Sequence, residues 1–93
     1  MDNISLEESK KYLPIGSVVL LKNGIAMYMI AGYMHENDDG KINEYVSIPY
    51  PYGLMALEAL YFFNHEDIDT VISLGYKDKD YEIINQMLLN YKK

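Results

Sequence analysis

Two apolar runs face each other across Asn23-Gly24, Leu13 to Leu21 before it and Ile25 to Ala31 after it. An Asn-Gly pair supplies the two positive-φ positions of a type I′ turn, so the pattern predicts a β-hairpin with strands over 16–22 and 25–32. A two-residue loop sets the register: Lys22 opposite Ile25, Leu21 opposite Ala26, Leu20 opposite Met27, Val19 opposite Tyr28 and Val18 opposite Met29. Leu20, Met27, Val18 and Met29 then share one side, and Leu21, Ala26, Val19, Tyr28 and Ile30 the other. Both sides are apolar. At roughly 25 cal/mol per Å² of apolar surface, the rest of the chain must cover at least one of them.

Beyond Gly32 the segment Tyr33 to Lys41 is rich in turn formers and predicts a solvated loop. Ile42, Glu44, Val46 and Ile48 alternate with Asn43, Tyr45 and Ser47, the pattern of a third strand over 42–48 that extends the hairpin into a meander. Pro49-Tyr50-Pro51-Tyr52-Gly53 ends that strand, because two prolines remove ladder donors and hold φ near polyproline II. Residues 54–58 read as a turn or short helix, and 59–63, with Leu60-Tyr61-Phe62-Phe63, as a fourth strand. Asn64 with Asp67 three positions on resembles a capping box. Ile68, Val71 and Ile72 recur at helical spacing, and Gly75 stands where a helix would end, so this stretch reads as a first helix. A second helix starts near Asp78, with Tyr81, Ile84, Met87, Leu88 and Tyr91 as its apolar stripe and Lys92 and Lys93 at its negative end. Residues 1–12 form a polar segment in which Ser5 and Glu8 suggest one helical turn over 6–11. Residues 13–93 form a single α+β domain, an antiparallel meander sheet of three to four strands covered by two short C-terminal helices.

Composition narrows the chemistry. The 93 residues carry a net charge of −6, from fourteen acids and eight lysines with no arginine. Clustered cations and guanidinium forks are what nucleic acids and anionic membranes select, so neither is an expected partner. The chain has no cysteine, which removes disulfides and thiolate metal sites and suits a reducing, cytoplasmic setting. Its acidic start is unlike a secretory signal, and no run reaches the ~18 apolar residues of a membrane span. Ten tyrosines with no tryptophan are a large surplus of side chains with an apolar body and a polar tip. Most of them are expected to pack the rim of the domain itself.

Candidate sites for catalysis are weak. His35 to Val46 matches a calcium loop only in its middle, at Asn37, Asp39, Gly40 and Ile42, and lacks both terminal ligands. His65 and Asp69 stand four apart on the expected first helix, and a metal would need further ligands such as Glu66 or His35. No nucleophile elbow or phosphate loop occurs, and the paired acids Glu7-Glu8 and Asp38-Asp39 lie in exposed segments. No catalytic residue, cofactor or metal is expected, and the chain reads as a non-enzyme. Surplus tyrosine and methionine around Tyr50, Tyr52, Met55 and Tyr61 form the expected protein-binding patch.

Leu13-Pro14-Ile15-Gly16-Ser17-Val18-Val19-Leu20-Leu21, Gly24, Ile30-Ala31-Gly32, Tyr45, Pro51-Tyr52-Gly53, Phe63-Asn64-His65-Glu66-Asp67-Ile68 and Gly75-Tyr76 together resemble a small bacterial family, domain-of-unknown-function family 4176, over 13 to about 80. The family pattern differs at Tyr52, where a small acidic or polar residue is usual, and over 54–59, where the link is more polar and contains glycine. The resemblance implies an accessory encoded beside LXG-type toxins of the Gram-positive type VII secretion apparatus, one that helps such a cargo fold, stay soluble or reach the export machine. The expected function is therefore a chaperone-like adaptor that binds an LXG toxin or its small helical targeting factors, with an immunity protein as the variant within this class. The rival from another class is a small metal-dependent hydrolase or ligand-binding domain built on His35, His65, Glu66 and Asp69. A homodimer formed through an open sheet edge is the third reading.

Overall fold

The computed structural model describes residues 11–91. Its center is a five-stranded antiparallel sheet of β1 (Val18–Leu21), β2 (Met27–Glu36), β3 (Ile42–Tyr50), β4 (Tyr61–Phe63) and β5 (Ile68–Ser73), in the order β4-β3-β2-β1-β5. One helix, α1 (Lys79–Tyr91), follows. The fold is α+β, with one strand more and one α-helix fewer among the described residues than the apolar pattern suggests. Residues 6–10 of the helical turn expected over 6–11, and the C-terminal Lys92 and Lys93, lie outside the described residues.

The hairpin has the anticipated register, with Val18 opposite Met29, Val19 opposite Tyr28 and Leu20 opposite Met27. Its turn is not type I′. Gly24 N–H donates to the Leu21 carbonyl at 3.1 Å, and Asn23, at φ 64°, is the left-handed residue of that four-residue turn. A positive φ at the third position suits a type II geometry, and it leaves Ile25 exposed at the tip. β2 runs four residues further than the turn-rich composition of 33–36 implies, because β3 pairs it as far as Glu36 opposite Ile42. The loop that remains is tied by Asn37, whose side-chain oxygen accepts from Asp39 N–H and Lys41 N–H at 2.9 Å each.

The stretch 68–75, expected as a helix, forms β5 over Ile68–Ser73. The Asp67 carboxylate does reach back to Asn64 N–H at 2.8 Å, but this cap opens only a single 3-10 turn, His65–Asp67. Ile68, Thr70, Val71 and Ile72 are β-branched, so a strand suits their stiff χ1 better than a helix. The outer edge of β1 offers them a ladder, with Val71 opposite Val19 and Thr70 opposite Leu20. Helical spacing at three positions is weak against an unpaired edge beside a buried strand.

Gly75 is likewise no helix cap. A Cβ there would lie 2.1 Å from the Ile15 carbonyl oxygen, so the residue is glycine because two stretches of backbone touch. Its N–H donates to Ser17 Oγ at 2.9 Å, and Ser17 is fully buried.

Ladder partners share a face, so Val19, Tyr28, Ile30, Ser47 and Tyr61 lie on one side, as do Tyr45 and Phe63. This side carries the core: Tyr12, Val19, Leu21, Ile30, Tyr45 and Phe63 are buried together, and Leu88 and Leu89 of α1 pack against them. On the opposite side Val18 is buried, while Leu20, Met27, Met29 and Ile48 are half-buried. Asp78 caps α1 by accepting Tyr81 N–H at 2.9 Å. The inward stripe of the helix is Tyr81, Asn85, Leu88 and Leu89, whereas Ile84, Met87 and Tyr91 are exposed. The expected stripe was rotated because Asn85, polar in sequence, is 2 % exposed and acts as a hydrogen-bond acceptor for the core. β4 is shorter than 59–63, and a 3-10 turn, Leu57–Ala59, precedes it.

Candidate functional site

Of the four residues expected to bind a partner, Tyr50 closes β3, Tyr52 and Met55 sit in the β3–β4 link, and Tyr61 opens β4; all four are exposed. The link begins at the cis Tyr50-Pro51 peptide, turns at Gly53 (φ 74°), and is held by Gly53 N–H donating to the Pro49 carbonyl at 2.7 Å. Register separates the group. Tyr50 stands opposite Met27 on one face, while Tyr61 stands opposite Ser47 on the other and stacks on Tyr28 with ring centroids 4.9 Å apart. Along the link Tyr52 is 73 %, Met55 80 % and Leu57 75 % exposed, so this one short segment, a ridge, carries three large apolar side chains open to solvent. The hairpin tip and the Tyr28–Tyr61 stack line an open groove of about 470 Å³.

A second constellation lies inside. The extended pair Tyr12-Leu13 has no strand partner, and side chains satisfy its entire backbone. Tyr12 N–H donates to Asn85 Oδ1 at 2.8 Å, and the Tyr12 carbonyl accepts from the Tyr81 hydroxyl. Leu13 N–H donates to the Tyr45 hydroxyl oxygen at 3.0 Å, and the Leu13 carbonyl accepts from the Tyr33 hydroxyl at 2.6 Å. The Tyr45 hydroxyl also meets His65 Nδ1 at 2.8 Å, so its proton is available to that nitrogen once its oxygen has accepted Leu13 N–H. Glu44 closes the ring by accepting from the Tyr12 hydroxyl at 3.2 Å and from His65 N–H at 2.7 Å. A buried backbone without a ladder must find such partners, and here phenols and one amide supply them.

Burial, with the Glu44 carboxylate adding to it, pushes Tyr12 up to about 12. Burial and the neighboring Tyr81 do the same to Tyr33, also to about 12, against an opposing backbone contact with Ile15. Tyr45 and Tyr81 are raised as well, burial being the main cause in each. None of these phenols offers a phenolate nucleophile or base near neutral pH. They act as a clasp. Because the folded chain holds these protons where the unfolded chain, at the ordinary value of 10, releases them, their contribution is complete below pH 10 and is lost as pH rises through about 12. Thermal unfolding followed from pH 8 to 12 should therefore show a level Tm up to about 10 and a fall above it steeper than one group produces. A flat Tm across that range would contradict the clasp.

Nothing in the composition marks Tyr12, Tyr33, Tyr45, Tyr81 and Asn85 as a set, since the network exists only once β2, β3 and α1 converge. The histidines do not converge. His35 stacks on Phe62 at 4.3 Å and His65 faces Tyr45, while Asp69 accepts from the Thr70 hydroxyl. No group of three or more His, Asp or Glu side chains among the described residues is placed to hold a metal. Nor is any described helix long and apolar enough to cross a membrane.

A third feature is a cleft of about 200 Å³ beside the start of α1, walled by the rings of Tyr33, Tyr76 and Tyr81 with Pro14, Ile15 and Ile84, and carrying one charged group, Asp80. Comparison with known proteins finds one family, described as a domain of unknown function (DUF4176), matching residues 12–84. No curated protein and no solved structure matches the chain.

Proposed function

Since the chain belongs to the DUF4176 family, we propose that it serves as a non-enzymatic, chaperone-like adaptor that docks a protein partner through the β3–β4 ridge. The supporting observation is that ridge: Tyr52, Leu54, Met55 and Leu57 are more than half exposed within six residues of sequence. Apolar groups concentrated on one projecting link are a recognised mark of protein interfaces. The partner proposed is the one that the sequence resemblance implies, an LXG toxin or its small helical targeting factors. The net charge of −6 favors a partner surface with basic rims over another acidic one.

Co-expression of the chain with an LXG protein should yield a complex that survives size exclusion. The double variant Tyr52→Ser/Met55→Ser should keep its Tm, because both side chains are exposed, and lose roughly tenfold or more in affinity. Free elution of both proteins, or unchanged binding by the double variant, would count against the ridge. Dividing the toxin separates the two forms of the idea, since an adaptor retains binding to the N-terminal helical domain and an immunity protein to the C-terminal one.

A further inference from the structure

The cleft at the start of α1 plays no part in the proposed docking ridge, and its chemistry is specific. Tyr33 and Tyr81 give their hydroxyls to the Leu13 and Tyr12 carbonyls, so the rings, not the hydroxyl groups, are what these residues can offer to the cleft. Tyr76, 81 % exposed, adds a third ring at the rim. Aromatic faces are electron-rich and attract cations, and such cages select ammonium groups whose hydration is weak. The only charged side chain on the wall is Asp80, whose carboxylate meets no hydrogen-bond or ion-pair partner among the described residues. Lys77, exposed to water, places its Nζ 5.4 Å from the center of the Tyr81 ring, the distance of a hydrated cation held outside the cleft by a ring face.

We propose that the cleft formed by Tyr33, Tyr76, Tyr81 and Asp80 binds a quaternary ammonium group of the choline type. A primary ammonium keeps a strong hydration shell that these apolar walls cannot replace, whereas methylated nitrogen sheds water at little cost and fills the same space with apolar contacts. A volume of about 200 Å³ holds a group of that size and not a folded segment of chain. Asp80 also restricts the ligand. A cation carrying its own nearby anion, such as betaine or a phosphocholine headgroup, would bring like charge to the carboxylate, so the site selects a simple cation.

Three probes titrated into the full chain, with backbone amide shifts read by NMR, test this. Choline should shift Tyr76, Asp80, Tyr81 and Ile84 saturably. Its neutral carbon isostere, 3,3-dimethylbutan-1-ol, and its carboxylate analogue, betaine, should each bind roughly tenfold more weakly, a cation–π and counter-charge difference of about 1.4 kcal/mol. Asp80→Asn and Tyr76→Leu, both at exposed positions, should weaken choline by a similar factor with Tm unchanged. Equal binding of choline and the neutral isostere would make this an ordinary apolar cleft and overturn the proposal. So would equal binding of betaine, shifts located elsewhere, or no shifts at any attainable choline concentration.

Discussion

Gly75→Ala should be the most damaging single methyl this fold can receive, lowering stability by about 3 kcal/mol, the upper part of the range for overpacking. The added carbon would sit 2.1 Å from the Ile15 carbonyl oxygen, 2.9 Å from its carbonyl carbon and 3.0 Å from Ser17 N. All three are backbone atoms and cannot swing aside as the end of a side chain does. Relief requires the chain after β5 to lift away, which also breaks the 2.9 Å bond from Gly75 N–H to the buried Ser17 Oγ. That loss matters beyond its own energy. Ser17 flanks the turn closed by Ser17 N–H donating to Pro14, in which Gly16 takes φ 92°, and this turn leads the Tyr12-Leu13 strap into β1. Gly32→Ala is the matched control, since its Cβ would meet only Val46 side-chain carbons at 3.7 Å or beyond, ordinary contact. Chemical denaturation of both variants checks the contrast: Gly32→Ala should stay within about 1 kcal/mol of the parent. A Gly75→Ala protein as stable as Gly32→Ala would show that the two backbones do not touch.

Tyr45→Phe is expected to cost about 2 kcal/mol, more than the removal of one hydroxyl suggests. The ring would stay, since Tyr45 is fully buried among Tyr12, Tyr33, Phe63 and His65. What disappears is the oxygen that accepts Leu13 N–H and faces His65 Nδ1. A buried donor left without a partner costs roughly 1–3 kcal/mol, whereas a satisfied hydrogen bond contributes closer to 1. The variant should accordingly show faster amide exchange at Leu13 and a lower Tm at neutral pH, with the alkaline fall in Tm less steep because one raised phenol is gone. Tyr52→Phe, which changes an exposed phenol, should leave both quantities unmoved. If Tyr45→Phe proved neutral, the strap would be held by Tyr33, Tyr81 and Asn85 alone.

Self-association remains a separate reading of the same molecule. The sheet ends on one side in β4, within the 59–63 segment whose open edge the sequence pattern would pair in two copies, and on the other in β5, with Val71 40 % and Ile72 51 % exposed, while β3 is interior.

Local chemistry determined several features of this chain on its own. The two apolar runs flanking Asn23-Gly24 located the hairpin, and its pairs keep the expected register although the turn itself is Leu21–Gly24 with Asn23 alone at positive φ. Alternation from Ile42 to Ile48 identified β3, and Asp78 identified the start of α1, since an alternating strand and a side-chain cap are each written within a few residues. Tertiary structure decided the rest. Ile68–Ser73 became a strand because β1 held an open edge, and an edge some fifty residues away is invisible to periodicity. Asn85 turned inward because Tyr12 N–H needed an acceptor, and five tyrosines divided into clasp and ridge, Tyr12, Tyr33, Tyr45 and Tyr81 against Tyr52. A phenol with an apolar ring and a polar tip suits the interior and the surface equally well, so its place depends on whether a stranded backbone group lies within reach.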